Sequence, residues 1–314
     1  MPSQVQRKFI LGSKWVYYKI YCGPGTTDSV LTKAILPVVH QLKMEEVVEK
    51  WFFIRYSDPS HHLRVRFLMK DSSHIFKVVN SVYSELGAFL NQDLIKKVQL
   101  DTYQREMERY GENTINLSES LFCLSSESIL NFLGLIEGDE GERLRWLFGL
   151  RAIDNLLNAF NYELEEKASL LEELKTDFGV EFGMSRPLKK QLDSKYRREK
   201  KSIENFFELD RKIKNDYYPI LKILSDEREK LEKIAQQILF MAESERLKIS
   251  INSLLGSYIH MLMNRLFKSK NRLNEMVSYD FLFRYYRSKM ARTKNSNVIT
   301  STHTTLIESK ISAL

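Results

Sequence analysis

Apolar and polar residues follow two different periodicities, and the change comes about a third of the way along the chain. In the first third, short aromatic and β-branched stretches alternate with stretches of helical spacing. The stretch "KWVYYKIY" (residues 14–21) alternates with a period near two and predicts a strand. The stretch "WFFIRYSDPSHHLRVRFLMK" (residues 51–70) predicts two strands joined by a turn. Between them, Asp28 is predicted to cap a helix that Pro37 should kink or divide.

From about residue 117 onward the pattern is almost entirely helical. Stretches such as "ERLRWLFGLRAIDNLLNAF" place apolar residues at positions i, i+3, i+4 and i+7. The sequence therefore predicts an α+β fold, in which a small antiparallel sheet from the N-terminal third packs against a mostly helical remainder. After Tyr286 the chain becomes rich in Ser, Thr and Lys, with little periodicity. We expect one domain over residues 1–288 and a flexible C-terminal tail over residues 289–314.

One segment, "IKKVQLDTYQREMERYGENT" (residues 95–114), fits two interpretations. As a strand, it alternates from Val98 to about Tyr103. As a helix, it places Glu106 and Arg109 on one face. Gly111 closes the segment in either case.

The composition indicates a cytoplasmic protein without a membrane span. Of the 314 residues, 43% are hydrophobic, which is enough for a sizeable core. No apolar run approaches the ~20 residues that a membrane-spanning helix needs, and the N-terminus lacks the pattern of a secretory signal. The two cysteines, Cys22 and Cys123, fit neither a zinc site nor a disulfide framework. Phosphate-loop, HExxH, CxxC and GxSxG motifs are absent, so the sequence predicts no nucleotide, metal or other cofactor.

The chain is moderately basic, with a formal net charge of +7. This charge suits an acidic peptide, RNA or a carboxylate substrate, but simple solubility explains it equally well. Seven of the basic residues cluster in one predicted helix: Lys189, Lys190, Lys195, Arg197, Arg198, Lys200 and Lys201. The cluster fits either a solvated helix face or a contact for an acidic partner. Without interleaved aromatic residues it is weak support for nucleic-acid binding.

Polar residues stand out at three places. Arg64 and Arg66 share one face of a predicted strand, roughly 7 Å apart, where they fit either a grip on a carboxylate or a solvent-exposed edge strand. The stretch "YQREMERYG" combines arginines, glutamates and tyrosines, and surface salt bridges explain it equally well. His260 lies with Ser257 and Asn264 on the polar stripe of an apolar helix, which fits a hydrogen-bonded core residue or a proton-transfer group.

Taken in order, these stretches resemble one known family. "WFFIRYSDPSHHLRVRF", "LDTYQREMERYG" and "SYIHMLMNRLF" resemble the C-terminal elimination domain of class I lanthipeptide dehydratases. The same domain occurs alone as the thiopeptide-type bacteriocin biosynthesis protein. "KWVYYKIYCGPGTTDSVL" and "RWLFGLRAIDNLL" extend the resemblance to roughly residues 8–287. It also has departures, since Glu112 and Ser125–Ser126 stand where the family often has glycine and Asp-Ser.

The resemblance implies a lyase. A full-length dehydratase of this family transfers glutamate from glutamyl-tRNA onto Ser or Thr of a precursor peptide. Its elimination domain then releases the glutamate and leaves dehydroalanine or dehydrobutyrine. By this resemblance the partners are the leader and core of the precursor peptide and a separate glutamylating protein. Elimination itself would require no tRNA, and relatives often pair as homodimers.

The resemblance also implies the site residues, motif by motif. The implied catalytic residues are His260, Arg66, Arg109 and Glu106. The implied substrate-binding residues are Arg64, Arg55, Tyr110 and Asn264. Either Arg64 or Arg66 matches the family arginine that holds the leaving glutamate.

Two other functions stay open at this point. Some stand-alone relatives are pyridine synthases, which join two dehydroalanines by a formal aza-[4+2] cycloaddition and need no grip on glutamate. A non-catalytic module could instead recruit the precursor peptide through the basic residues 189–201.

Overall fold

The computed structural model describes residues 5–209 and 215–311, with backbone only for residues 139 and 294–311. The fold is α+β as predicted, and 66% of it is helical. The strands are β1 Lys8–Phe9, β2 Trp15–Cys22, β3 Val48–Ser57, β4 His61–Met69, β5 Ile95–Leu100 and β6 Tyr103–Gln104. The helices are α1 Thr27–Val30, α2 Leu36–Met44, α3 Ile75–Asn91, α4 Met107–Tyr110, α5 Ile115–Leu133, α6 Gly138–Ala159, α7 Leu164–Phe182, α8 Arg186–Glu208, α9 Tyr218–Asp226, α10 Arg228–Glu243, α11 Ile251–Leu266 and α12 Asn271–Ile311.

The main sheet is antiparallel, with the strand order β3-β4-β2-β5. The predicted hairpin is therefore β3 and β4, and β4 is a central strand. Tyr17 lies opposite Arg66, and Lys19 lies opposite Arg64. Since paired residues point to the same side of a sheet, these four side chains share one face. The solvent-exposed edge-strand interpretation of the two arginines is wrong, because β3 and β5 form the edges.

The outer edge of β3 is covered by helices instead of being open to solvent. The backbone N–H of Phe53 donates to Ser126 of α5, and the Phe53 carbonyl accepts from Nε of Arg265 at 2.8 Å. The Asn264 amide bonds both the N–H and the C=O of Arg55 at 2.9 Å, as a neighbouring strand would. These side chains satisfy edge groups that would otherwise be unpaired, and they fix α11 against the sheet.

The first helix is divided where Pro37 predicts. A π-helical stretch, Leu31–Ile35, separates α1 from α2, and the backbone stays helical through it. Pro37, which has no N–H to donate, follows this wider turn directly. The prediction that Asp28 caps this helix is wrong. Thr26 occupies the cap position, and Asp28 lies inside the first turn. Its carboxylate is already bound to two arginines, which the sequence pattern could not reveal.

The ambiguous segment is part strand and part helix. It forms β5, the short strand β6 and then the single turn α4, which begins directly after Glu106. Gly111 ends α4 with a φ of +73°, a conformation that favours glycine. A Cβ there would lie 2.9 Å from Oγ1 of Thr114, so the turn has no room for a side chain.

The chain divides into two compact units. The first comprises Met1–Phe160 and Asp210–Glu275, and the second comprises Asn161–Leu209 and Met276–Leu314. The first contains both sheets and every predicted site residue, whereas the second contains α7, α8 and most of α12. The chain beyond residue 288 is helical as far as Ile311, and its flexibility stays a prediction. Within the described ranges, no helix is both long and apolar enough to cross a membrane.

Candidate functional site

Arg66 lies on β4 beneath a group of aromatic side chains. Its guanidinium carbon is 4.4 Å from the ring centre of Tyr17, 4.8 Å from that of Tyr103 and 5.2 Å from that of Phe52. The residue is 8% exposed, and its buried Nε has no hydrogen-bond partner. Among the described residues, no carboxylate forms an ion pair with it. Burial lowers the pKa of this guanidinium, so the charge is held at a cost that the rings offset only in part.

Arg64 lies two residues before Arg66 on the same face of β4, toward the turn that joins β3 and β4. Its guanidinium stacks 3.4 Å from the ring centre of Tyr56, and its Nε donates to His62 Nε2 at 3.1 Å. The side chain is half-buried, and Lys19 lies beside it in an ion pair with Asp101. This end of the face is therefore positive and accessible to a ligand.

The turn α4 brings further charge to the Arg66 end. Arg109 and Glu106 form an exposed ion pair of 3.5 Å. The carboxylate of Glu106 favours the charged form of Arg66, although no ion pair joins them. Tyr110 is buried against Tyr258, with ring centres 6.1 Å apart, and burial raises its pKa to about 12. Arg66, Arg64, Glu106 and Arg109 thus form one polar group, with Tyr110 in its apolar wall.

A buried network supports this wall. Arg105 donates from Nε and Nη2 to both carboxylate oxygens of Glu119, at 2.7 and 2.6 Å. The Tyr103 hydroxyl donates to the same carboxylate at 2.8 Å, while its ring lies against Arg66. Arg105 is therefore neutralised within the fold and Arg66 is not, although both arginines are almost fully buried.

His260 forms a separate dyad on α11. Its Nδ1 lies 2.8 Å from Oε2 of Glu275, whose side chain is 1% exposed. Arg272 lies 3.6 Å from the same oxygen. A carboxylate on Nδ1 favours the neutral tautomer that carries its proton there, which leaves Nε2 as an acceptor. Ser257 and Asn264 share the polar stripe with His260, but the residue that contacts its Nδ1 is Glu275.

Two of the predicted substrate-binding residues lie elsewhere. Arg55 points to the opposite face of the sheet from Arg64 and Arg66, where it donates to Asp28 at 2.6 Å and to the Arg265 carbonyl at 2.8 Å. Asn264 is occupied by the Arg55 backbone. Arg145 also bonds Asp28, at 2.8 Å. Burial raises the pKa of Asp28, but the two guanidinium groups outweigh it and hold the pKa below the usual range.

The sequence interpretation missed Arg265, which lies one turn after His260. It is 1% exposed, it stacks 4.8 Å from the ring centre of Phe122, and its buried Nη2 has no hydrogen-bond partner. Burial lowers its pKa to about 9. Phe122 in turn contacts Phe52, one of the three rings that pack against Arg66. Two buried cations therefore flank one aromatic pair, and neither forms an ion pair with a described carboxylate.

The structure thus groups five predicted residues and separates the other three, Arg55, Asn264 and His260, from them. Arg64 and Glu106 lie close enough to Arg66 to affect its charge, Arg109 pairs with Glu106, and Tyr110 contacts Arg109. Among the described residues, no hydrogen bond or ion pair connects His260 to that group. The same residues contain no cluster of three or more His, Cys, Asp or Glu side chains that could hold a metal ion.

Comparison with known proteins gives the family. Residues 15–286 match the family model described as lantibiotic biosynthesis dehydratase C-term. Subtilin biosynthesis protein SpaB from Bacillus subtilis is 25% identical over 275 residues, which are 84% of this chain and 24% of SpaB. The chain therefore spans about a quarter of the length of that curated relative.

Two solved structures share the fold. The tRNA-dependent lantibiotic dehydratase MibB from Microbispora sp. 107891 matches with a TM-score of 0.67 at 20% identity, over 90% of this chain and 29% of MibB. The pyridine synthase TbtD from thiomuracin biosynthesis matches with a TM-score of 0.60 at 13% identity, over 87% of this chain and 99% of TbtD. Because the family model covers most of its length, the chain belongs to the lantibiotic biosynthesis dehydratase C-terminal family.

Proposed function

We propose that the protein is a lyase that eliminates glutamate from O-glutamylated Ser and Thr side chains of a ribosomally synthesised precursor peptide. The products would be dehydroalanine or dehydrobutyrine and free glutamate. A separate tRNA-dependent protein would supply the glutamylated peptide, and elimination itself would need neither tRNA nor a cofactor. Family membership supports a role in lantibiotic-type peptide modification, whereas the elimination step rests on the charged residues around Arg66.

The observation that carries the proposal is the unpaired charge of Arg66. Taking a guanidinium out of water costs several kcal/mol unless an opposite charge compensates it. Three rings and a distant Glu106 supply only part of that compensation. An anionic ligand would supply the rest. A glutamyl ester carries one free carboxylate and releases a second one as it leaves, so it suits this site.

The neighbouring charges fit the same ligand. Arg64 and Arg109 would bind carboxylate oxygens at the open side, and forked guanidinium contacts are the strongest of that kind. Glu106 would face the ammonium group of the glutamyl moiety. Charge that develops on the leaving carboxylate would then be met by donors already in place, which is the largest single contribution in many enzymes.

His260 would supply the base. With Nδ1 held by Glu275, its Nε2 would take the Cα proton of the glutamylated residue. The electrons of that C–H bond would form the Cα–Cβ double bond, and the Cβ–O bond would break with its electron pair on the departing glutamate. The proton would pass from Nε2 to solvent. This step requires the substrate to extend from the charged residues around Arg66 to His260 on α11.

The test is glutamate release from a synthetic peptide that contains O-glutamyl-serine. We expect the native protein to convert it to the dehydroalanine peptide, and we expect Arg66→Met and His260→Ala to lose at least about 100-fold in rate. Retained folding by circular dichroism is the control. Normal turnover by either variant would reject the role of that residue.

A second candidate is supported by one comparison. TbtD, the pyridine synthase from thiomuracin biosynthesis, matches over 99% of its own length. A cycloaddition of two dehydroalanines involves no glutamate, so it leaves the charge of Arg66 without a purpose. Offering a dehydroalanine-rich peptide separates the two functions. Formation of a pyridine ring, without glutamate release from the first peptide, would establish this alternative.

A further inference from the structure

The helix α8 carries a charge imbalance that the fold does not correct. Residues 186–201 contain eight lysines and arginines but only two acidic residues, a formal net charge of +6 against +7 for the whole chain. Six of these cations are exposed and form no ion pair with described residues. We define them as the basic face of α8: Arg186, Lys189, Lys190, Arg197, Lys200 and Lys201.

Two acidic residues of α8, Asp193 and Glu204, lie on the same side of the helix as these cations, and both are paired with another helix. Asp193 pairs with Arg284 at 2.7 Å, and Glu204 pairs with Arg292 at 3.0 Å. Both arginines belong to α12. These two acids therefore hold α12, and Glu199 pairs with Arg198 at 3.2 Å, so the six cations of the basic face have no ion-pair partner among the described residues.

The arrangement is unfavourable for the helix alone. At 100° per residue, Arg186, Lys190, Arg197 and Lys201 fall within an arc of about 60°. Two pairs of them are spaced i, i+4, where like charges repel. The first turn contains no acidic residue, so its cations also oppose the helix dipole. A helix selected only for stability or solubility would alternate the signs of its charges, as α10 does with Arg228–Glu232 and Lys233–Glu229.

The surroundings of the basic face suit a peptide better than a nucleic acid. The aromatic residues Tyr196 and Phe206 of α8 are buried, so the exposed face offers no ring on which a base could stack. Lys189 instead borders a groove that includes the apolar side chains of Val180 and Met184. The groove is of mixed character, since Asp193, Asp280 and Arg284 also line it. Its apolar part beside Lys189 suits a chain that carries both acidic and apolar side chains.

We propose that the basic face of α8 docks an acidic segment of the precursor peptide, outside the residues that are modified. The face is about 22 Å long, which corresponds to roughly seven residues of extended chain. This identification of the occupant rests on the proposed function, whereas binding of an acidic peptide can be measured without it. The docked segment raises the local concentration of the modified part of the same peptide.

Direct binding is measured first, by fluorescence anisotropy with a labelled twelve-residue peptide of alternating Glu and Leu. The triple variant Lys190→Gln, Arg197→Gln and Lys201→Gln removes three charges from the face. Its matched control, Lys222→Gln, Arg228→Gln and Lys233→Gln, removes three ion-paired charges from α9 and α10. We expect at least about tenfold weaker binding by the α8 variant and little change in the control.

Equal loss in both variants would show that net charge alone attracts the probe, and would overturn the proposal. Displacement of the bound peptide by an equal concentration of tRNA would overturn the choice of occupant.

Glutamate release then separates this proposal from the proposed function. With an O-glutamyl-serine peptide fused to the acidic segment, the α8 variant should show a raised KM and an unchanged kcat, while a short peptide without the segment should react as with the native protein. An unchanged KM for the fused peptide would contradict docking. No release by the native protein, with peptide binding intact, would reject the lyase and leave the docking surface standing.

Discussion

Arg66 and Arg105 provide a matched pair of buried arginines that tests whether the charge of Arg66 serves a ligand or the fold. Their exposures are 8% and 7%. Arg105 is neutralised by two hydrogen bonds to Glu119, whereas Arg66 has only aromatic rings around it. Replacing each by Met keeps an unbranched apolar stem, removes the charge and shortens the side chain equally at both positions. The two substitutions should therefore have opposite consequences.

The magnitudes follow from what each substitution leaves behind. Arg105→Met leaves the buried Glu119 carboxylate without its cation, and breaking a buried pair in this way costs about 3–5 kcal/mol. Arg66→Met loses three desolvated cation–π contacts of up to about 2 kcal/mol each, but it also removes a desolvation cost of several kcal/mol that is of similar size. We expect the free energy of unfolding of Arg66→Met to stay within about 1 kcal/mol of the native value, or to rise.

Urea unfolding measures both effects through Trp15 and Trp51, which are fully buried in the same unit as the two arginines. Glutamate release measures the catalytic effect, which should be a loss of about 100- to 1000-fold for Arg66→Met. Equal destabilisation by the two substitutions would mean that Arg66 holds the fold together. Native activity in Arg66→Met would likewise show that the charge of Arg66 does not act in catalysis.

Three further predictions concern other charges of the same unit. Because the Glu275 carboxylate orients His260, Glu275→Gln should lower kcat about 100-fold with little change in KM. Glu275→Asp, which keeps a carboxylate, should retain part of the native kcat. Asp28→Asn should lower the free energy of unfolding by about 3–5 kcal/mol in thermal or urea unfolding, because it leaves the buried cation of Arg55 unpaired and leaves Arg145 with only its ion pair to Glu142. Burial raises the pKa of Glu227 to about 8, so the folded state keeps a proton that the unfolded chain loses above its ordinary pKa. The free energy of unfolding should therefore fall as the pH rises from about 4.5 to 8, by on the order of 2 kcal/mol once solvent screening of the carboxylate is included. Glu227→Gln should abolish this pH dependence in urea titrations.

Much of the fold was predictable because its signals are local. Alternation over residues 14–21 and 51–70 identified β2, β3 and β4, and helical spacing identified the elements after residue 117. The position of a strand within a sheet is not local information, which is why Arg64 and Arg66 fitted an edge strand as well as a central one. Residues 95–114 were ambiguous because they contain two short strands and one helical turn, each too short to show a period of its own.

The site was predictable only where its residues share a motif. Arg66, Glu106 and Arg109 lie in stretches that resemble the family, but their environments depend on residues far along the chain. Glu275 was missed because nothing in "NRLNEMVSYD" marks this glutamate as the partner of His260. The sequence shows only that two apolar residues, Met276 and Val277, follow it, which is a weak sign that it is buried.

The measurement that tests the central claim most directly is a single-turnover reaction with a peptide deuterated at Cα of its O-glutamyl-serine. The account predicts one free glutamate per dehydroalanine, loss of the deuterium, and a slower reaction than with the protonated peptide, because the Cα bond breaks as the glutamate leaves. Glutamate released with serine as the other product would be simple ester hydrolysis. That result, or no release at all from a folded protein, would contradict the account.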